Sequence, residues 1–154
     1  MTGQSRPTIP LPPGACDTHV HVFAAPKRFP MDPARSYTPG IADADDLAHH
    51  QAALGLERVI VVQPSIYSTD NRATLEAVAR IGANARGVGV VSEDATEAEL
   101  DTLDGGGIRG LRLNLASVGA SEVGAIQRQV VEAAERCAAR DWVLQIFTEL
   151  PVIE

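Results

Sequence analysis

Two histidines and an aspartate alternate near the start of the chain, in the segment Asp17-Thr18-His19-Val20-His21. Residues 15–23 are rich in β-formers and predict a strand, so these three side chains share one face at a spacing of about 6.6 Å. Two imidazoles placed in this way can converge on one divalent metal or on one substrate. Because burying such a set without use is costly, the pattern favours a functional site over satisfied core histidines.

A second polar pair, Arg112 and Asn114, lies in the predicted strand 108–115. Alternation places both side chains on one face, opposite the leucines of the same strand. The planar guanidinium fork suits a carboxylate, and an arginine in a strand that is buried on both sides needs a partner. We therefore predict that Arg112 and Asn114 contact substrate, with an ion pair at a surface or interface as the alternative role of the arginine.

These residues are positioned by a chain in which strands and helices alternate. Predicted strands cover residues 15–23, 58–63, 86–92, 108–115 and 142–147, and predicted helices cover 43–54, 68–81, 96–103 and 121–140. Alternation of this kind implies a parallel sheet with right-handed crossovers, in an open sheet or a barrel. A long loop at 24–41 follows the first strand instead of a tight glycine-rich turn, which disfavours a dinucleotide-binding fold.

Local signals fix several helix ends. Asp43 is the predicted N-cap of the first helix and Gly55 its stop. Ser68 or Asp70 is the predicted cap of the second helix. Thr96 and Glu99 have the spacing of a capping box at the third.

Composition excludes several classes of protein. The chain has 154 residues, 45% of them hydrophobic, which is enough for a packed core, and 20 acidic against 13 basic residues give a net charge of −7. We therefore expect no nucleic-acid partner. The Pro-rich leader 1–13 has no apolar stretch typical of a signal peptide, and no window is apolar enough to span a membrane. We expect a cytoplasmic protein with reduced Cys16 and Cys137, and a single domain over 14–154.

Four segments together resemble a known family. They are GACDTH at residues 14–19, YTP at 37–39, VVQPS at 61–65 and GIRGLRLN at 107–114. The first contains the beginning of an HxH pattern on the first strand that resembles the signature of the amidohydrolase superfamily. The ordered set is similar to the amidohydrolase-related branch that contains 2-pyrone-4,6-dicarboxylate lactonase and sugar-lactone hydrolases and isomerases. The resemblance extends from about residue 14 to the C-terminus.

The resemblance implies a (β/α)8 TIM-type barrel whose site lies at the C-terminal ends of the strands. By this likeness His19 and His21 are catalytic residues of strand one. They bind one divalent metal, zinc or manganese, in metal-dependent members and polarise a substrate carbonyl in the lactonase branch, so the cofactor is either one such metal or none. Tyr37 and Ser65 match substrate-contacting positions, and Arg112 matches an arginine that holds a substrate carboxylate.

Two departures from the family qualify this expectation. The lactonase branch has a second arginine shortly after strand four, where this chain has Ala116, Ser117 and Val118, so a dicarboxylate substrate does not follow. A complete barrel needs about 250 residues, and only five strands and about four helices are present. The family's histidine on strand six and its general base, an aspartate on strand eight, have no counterpart before Glu154.

We therefore expect the N-terminal part of a lactonase-like hydrolase for a small carboxylate-bearing substrate, inactive or nearly so as a 154-residue chain. Its first and last strands are expected to have open edges that favour a homo-oligomer. One alternative is a self-associating or carboxylate-binding half barrel without catalysis. Another is a metal-dependent decarboxylase or amide hydrolase of the same superfamily.

Overall fold

A computed structural model describes residues 8–115 and 123–148 of the chain. The strands are β1 (Cys16–Val20), β2 (Arg58–Val62), β3 (Ala85–Gly89), β4 (Ile108–Asn114) and β5 (Val143–Phe147). The α-helices are α1 (Ala44–Leu54), α2 (Arg72–Ile81), α3 (Glu97–Gly105) and α4 (Val123–Ala138), and short 3-10 helices cover Ser65–Tyr67 and Gly82–Asn84. The predicted order of strands and helices is confirmed, although all five strands are shorter than predicted.

The five strands form one parallel sheet in which each strand pairs with the next in the sequence, in the order β1-β2-β3-β4-β5. An open doubly wound sheet reverses its strand order at a switch point, whereas a barrel adds each new strand on the same side. The chain therefore forms five strands and four helices of a (β/α)8 barrel. The described residues do not include positions 1–7 of the predicted leader, positions 116–118, or the start of the predicted last helix.

The predicted N-cap at Asp43 and the predicted capping box at Thr96 are both confirmed, and Asp43 also forms a capping box. The Asp43 carboxylate accepts from the backbone N–H of Asp45 and Asp46, and the Asp46 carboxylate accepts in return from the Asp43 N–H. The helix ends at Gly55, whose φ of 76° lies in the left-handed region that glycine tolerates. Thr96 and Glu99 make the same reciprocal pair at the start of α3.

The predicted cap of α2 is wrong. The N-cap is Asn71, and its side chain does not cap the helix. Its amide instead donates to the Val90 carbonyl at 2.7 Å and accepts from the Val90 N–H at 2.9 Å, just beyond β3. Asp70 forms an ion pair with Arg72. Asp70 lies one position before the N-cap, and its carboxylate also accepts from the Arg72 N–H at 3.2 Å. The side chain at the N-cap itself makes a tertiary contact to the segment after β3.

The hydrophobic core lies between the sheet and its helices. One cluster joins β1 and β2 to α1 and α2, and a second packs α3 and α4 on β4. A third cluster contains Phe29 and lies beneath the loop 24–41, where Ile66 and Tyr67 are buried. The Tyr67 hydroxyl accepts from the Ala24 N–H at 2.9 Å. This third cluster anchors the loop that carries Tyr37.

A buried amide holds the connection that carries Ser65. Gln63 is fully buried at the end of β2, and its Nε2 donates to the carbonyl oxygens of Ser68 and Asp70 at 3.2 and 2.9 Å. Its Oε1 accepts from the Thr74 hydroxyl at 2.5 Å. All three bonds span the turn between β2 and α2, so the amide fixes the path of this connection.

We expect Gln63→Leu to lower the free energy of unfolding by about 3 kcal/mol, because it leaves the Thr74 hydroxyl and two carbonyl groups buried without their partner. Urea unfolding followed by circular dichroism measures this loss. The matched control is Gln129→Leu on α4, where the amide bond to Glu93 is exposed to solvent, and it is expected to cost less than about 1 kcal/mol. Equal losses for the two variants contradict the prediction.

The sheet ends at β1 on one side and at β5 on the other. On β5 the side chains of Val143, Ile146 and Phe147 are 61%, 43% and 52% exposed.

No helix in the described parts of the chain is both long and apolar enough to cross a bilayer.

Candidate active site

The carboxyl ends of the strands surround a cavity of about 720 Å³. The six residues predicted to act in catalysis or to contact substrate all line it: His19, His21, Tyr37, Ser65, Arg112 and Asn114. The cavity is also lined by residues that sequence reasoning did not assign to the site: Asp32, Ala34, Arg35, Ser36 and Phe147. The structure thus brings the predicted side chains together, while their chemical roles stay predictions.

Asp17 departs from the predicted arrangement. Its carboxylate accepts from the backbone N–H of His19 at 3.1 Å, and Asp17 does not line the cavity. The pairing of β1 with β2 shifts register between Asp17 and Val20, which breaks the simple alternation of the strand. The two histidines therefore face the cavity without the aspartate that the spacing placed beside them.

His21 is held by the neighbouring strand. Its Nδ1 lies 2.8 Å from the Val62 carbonyl oxygen, which can only accept, so the Nδ1–H donates and Nε2 carries the lone pair of the neutral ring. Burial lowers the pKa of His21 below its ordinary value, the bond to Val62 opposes this, and the nearby Arg112 and His19 lower it further. The fold therefore favours the neutral imidazole.

This pKa shift makes the stability of the fold depend on pH. At pH values between the lowered pKa of His21 in the folded state and its pKa near 6.5 in the unfolded chain, the unfolded state binds more protons than the folded state. The free energy of unfolding therefore falls as the pH falls from about 6.5 through this window. Urea unfolding at pH 7.5 and 5.5 is expected to show a larger acid loss for the wild type than for His21→Gln. His49→Gln, on the exposed side of α1, is the control, and identical pH dependences in all three proteins contradict the prediction.

His19 joins three strands. Its ring lies 5.1 Å from that of His21, centroid to centroid, and nearly perpendicular to it. Nε2 lies 3.3 Å from Nη1 of Arg112 on β4, and Nδ1 lies 3.1 Å from the side-chain amide of Gln145 on β5. Both ring nitrogens thus have a protein partner.

Arg112 is a buried cation, 9% exposed, at the carboxyl end of β4. None of the ion pairs among the described residues includes it, so the alternative of an ion pair has no support in this part of the chain. Its guanidinium lies 5.2 Å from the centre of the Phe147 ring. Burial lowers the pKa of Arg112, while Tyr37 raises it. A buried guanidinium facing a cavity is a strong anion site.

The loop 24–41 forms one wall of the cavity. Tyr37 packs edge-on against Phe23, with 6.5 Å between the ring centres. Arg35 donates to the Thr38 hydroxyl at 2.9 Å and to the Asp32 carbonyl at 3.1 Å, which holds the turn before Tyr37. The loop is therefore folded against the strand ends, in agreement with a functional role.

A divalent metal has an incomplete ligand set in the described residues. His19 and His21 supply two imidazoles, but no group of three or more His, Cys, Asp or Glu side chains that could hold a metal exists among these residues. A catalytic zinc usually has three protein ligands. The Arg112 guanidinium beside Nε2 of His19 also disfavours a cation there. The described residues therefore do not fit a metal site.

Five parallel strands paired in sequence order, with two imidazoles and a guanidinium at their carboxyl ends, are typical of the (β/α)8 barrels, whose sites lie at this face. The chain belongs to the amidohydrolase family, which it matches over residues 16–152. It is 37% identical over 145 residues to 2-pyrone-4,6-dicarboxylate hydrolase of Comamonas testosteroni, covering 94% of this chain and 47% of that protein. It is 34% identical over 102 residues to 4-sulfomuconolactone hydrolase of Hydrogenophaga intermedia, covering 66% of this chain and 34% of the relative.

A solved structure gives the same result for the fold. The crystal structure of a probable 2-pyrone-4,6-dicarboxylic acid hydrolase from Acinetobacter baumannii, with citric acid bound, superposes with a TM-score of 0.75 at 26% identity. The match covers 86% of this chain and 49% of that one. The chain therefore spans about half the length of this structure and less than half of the two relatives.

Proposed function

We propose that the protein hydrolyses the lactone ring of a small substrate that carries a carboxylate. The observation that supports this most directly is Arg112, a buried guanidinium without an acidic partner among the described residues, in one cavity with two imidazoles. The guanidinium suits a carboxylate, and the imidazoles suit the polar carbonyl end of a ring. Two relatives that bear lactone or pyrone hydrolase names agree with this class of substrate.

In this proposal each cavity residue has a defined role. Arg112 binds the carboxylate in a bidentate manner. His21 lies beside the lactone group with the lone pair on Nε2, so it donates to the carbonyl oxygen only in its doubly protonated form, which then stabilises the charge that develops there. His19, whose two ring nitrogens both have protein partners, lies next to it and contacts Arg112. Tyr37 and Ser65 contribute hydroxyl groups, and Asn114 an amide, which orient the ring. The base that activates water is contributed by the second half of the barrel, in agreement with the half-length match to the relatives.

The test is a comparison of matched lactones with the complete gene product. A carboxylate-bearing lactone such as 2-pyrone-4,6-dicarboxylate and an uncharged pyrone are assayed with a chelator and with added zinc or manganese. We expect ring opening of the charged substrate at least about 100-fold faster than that of the uncharged one. Equal rates contradict the role of Arg112. If the protein instead hydrolyses amides or decarboxylates a substrate, and either reaction requires one metal per chain, the result favours the metal-dependent alternative.

The exposed edge of β5 supports a second candidate, a non-catalytic half barrel that associates with itself. Val143, Ile146 and Phe147 are exposed at an end of the sheet, where another strand could pair. Size-exclusion chromatography of the 154-residue chain tests this alternative. A defined dimer that binds carboxylates without turnover favours it, whereas a polydisperse aggregate favours an enzyme whose barrel is incomplete.

A further inference from the structure

Gln145 was not singled out by the sequence, yet its side chain contacts a predicted catalytic residue. It lies on β5 directly beside Arg112 of β4, because these two residues are partners in the strand register. The amide nitrogen of Gln145 is 3.1 Å from Nδ1 of His19, and Nη1 of Arg112 is 3.3 Å from Nε2 of the same ring. The side chains of Gln145, His19 and Arg112 are therefore in continuous contact from β5 through β1 to β4.

The hydrogen bonds of these three side chains decide which nitrogen of His19 carries the proton, because each bond needs one donor and one acceptor. A guanidinium only donates, so Nε2 of His19 must be the acceptor in its contact with Arg112. A neutral imidazole then carries its single proton on Nδ1, and that N–H needs an acceptor. The Gln145 amide supplies one when its oxygen faces the ring. In the structure the amide nitrogen faces Nδ1, which leaves the ring between two donors and Gln145 Oε1 buried without a partner in the described residues. A half-turn of the amide about its last side-chain bond exchanges its nitrogen and oxygen and gives the Nδ1–H its acceptor.

We propose that Gln145 is a positioning residue that acts through His19 on Arg112. Its amide oxygen accepts the Nδ1–H of His19 and so fixes the tautomer whose Nε2 lone pair faces Arg112. That lone pair accepts from Nη1 and holds the guanidinium at the mouth of the cavity. The consequence rests on the proposed function, because a fixed guanidinium binds a substrate carboxylate with less loss of side-chain freedom than a mobile one.

The tautomer of His19 is the first readout, since it needs no substrate. Nitrogen-15 NMR at pH 7.5 distinguishes a ring protonated on Nδ1 from one protonated on Nε2, and a His19→Gln sample identifies the His19 signals. We expect the Nδ1–H form in the wild type and in Gln145→Glu, whose carboxylate also accepts. In Gln145→Met we expect a mixture of the two tautomers. Gln129→Met on α4 removes an amide away from the cavity and is expected to leave the spectrum unchanged.

The second readout separates binding from chemistry. Gln145→Met is expected to raise KM for a carboxylate-bearing lactone about 10-fold and to change kcat less than about twofold, because Gln145 orients the binding group and touches no reacting atom. Gln129→Met is expected to change neither. A general loss of folded protein would lower kcat of the preparation without this selective change in KM.

The outcomes of the two readouts are distinct. An Nε2–H tautomer in the wild type, or an unchanged His19 spectrum in Gln145→Met, overturns the positioning role whatever the enzyme turns over. The expected spectra with no hydrolysis of any lactone support the positioning role and contradict the proposed function. The expected spectra with an unchanged KM in Gln145→Met show that His19 does not position Arg112 for binding, and they overturn this inference.

Discussion

Replacement of Arg112 by methionine is expected to raise KM for a carboxylate-bearing lactone about 100-fold and to leave an uncharged lactone unaffected. Methionine keeps the unbranched shape and removes every donor. Hydrogen bonds to charged groups contribute about 1.5–3 kcal/mol each, so the loss of a bidentate contact amounts to about 2.7 kcal/mol even after partial replacement by water. Steady-state kinetics with both substrates measures the effect.

The same strand offers a matched control for this substitution. Arg109 also lies on β4, but its guanidinium pairs with Asp104 at 3.1 Å in an exposed position away from the cavity. Arg109→Met is therefore expected to leave KM within about twofold of the wild type. Arg112→Lys keeps the charge but loses the planar fork, and an intermediate KM is expected. Equal effects of Arg109→Met and Arg112→Met contradict the assignment of the carboxylate site.

The second large effect concerns the length of the chain. We expect the 154-residue chain alone to hydrolyse the lactone at least about 100-fold more slowly than a protein of the relatives' length, because a positioned general base contributes about 10²–10⁴ in rate. The comparison is made between this chain and the complete gene product under single-turnover conditions. Fluorescence of Trp142, which is buried beneath α3 and α4, reports whether the fold has formed. Turnover by the short chain at the full rate contradicts the proposed division of roles.

Carboxylate binding is expected to survive in the short chain, since Arg112 and its partners all lie within the five strands. Calorimetry with citrate as a carboxylate probe tests this. Binding without turnover by the wild type, lost in Arg112→Met, is the expected pattern. Absence of binding to a folded chain indicates that the second half of the barrel also supplies anion contacts and contradicts a carboxylate site built by Arg112 alone.

Much of the architecture could be predicted because its signals are local. The N-cap at Asp43 and the capping box of Thr96 and Glu99 depend on residues at most three positions apart, and both are confirmed. The five strands follow from runs of β-formers, and alternation correctly places Arg112 and Asn114 together on the cavity side of β4. The period of a strand or helix is a property of the backbone, so it is readable before the fold is known.

The failures have a common cause, which is competition from contacts distant in sequence. The N-cap of α2 is Asn71 instead of the predicted Ser68 or Asp70, and its side chain bonds the Val90 backbone instead of the helix. Asp17 leaves the shared face of His19 and His21 because β1 shifts register against β2. Strand alternation places Gln145 on the same face of β5 as Phe147. No local pattern, however, relates Gln145 to a histidine that is 126 residues away in the sequence.

By itself, the sequence determined the order of strands and helices, the caps of α1 and α3, and the residue types available for chemistry, because each depends on short-range spacing. Only the tertiary structure decided that His19, Arg112 and Gln145 meet, from strands that lie first, fourth and fifth in one sheet. The physical reason is that strand register is set by the packing of the whole sheet against its helices. The register thus brings His19 into contact with Arg112 and Gln145, which are 93 and 126 residues away in the sequence.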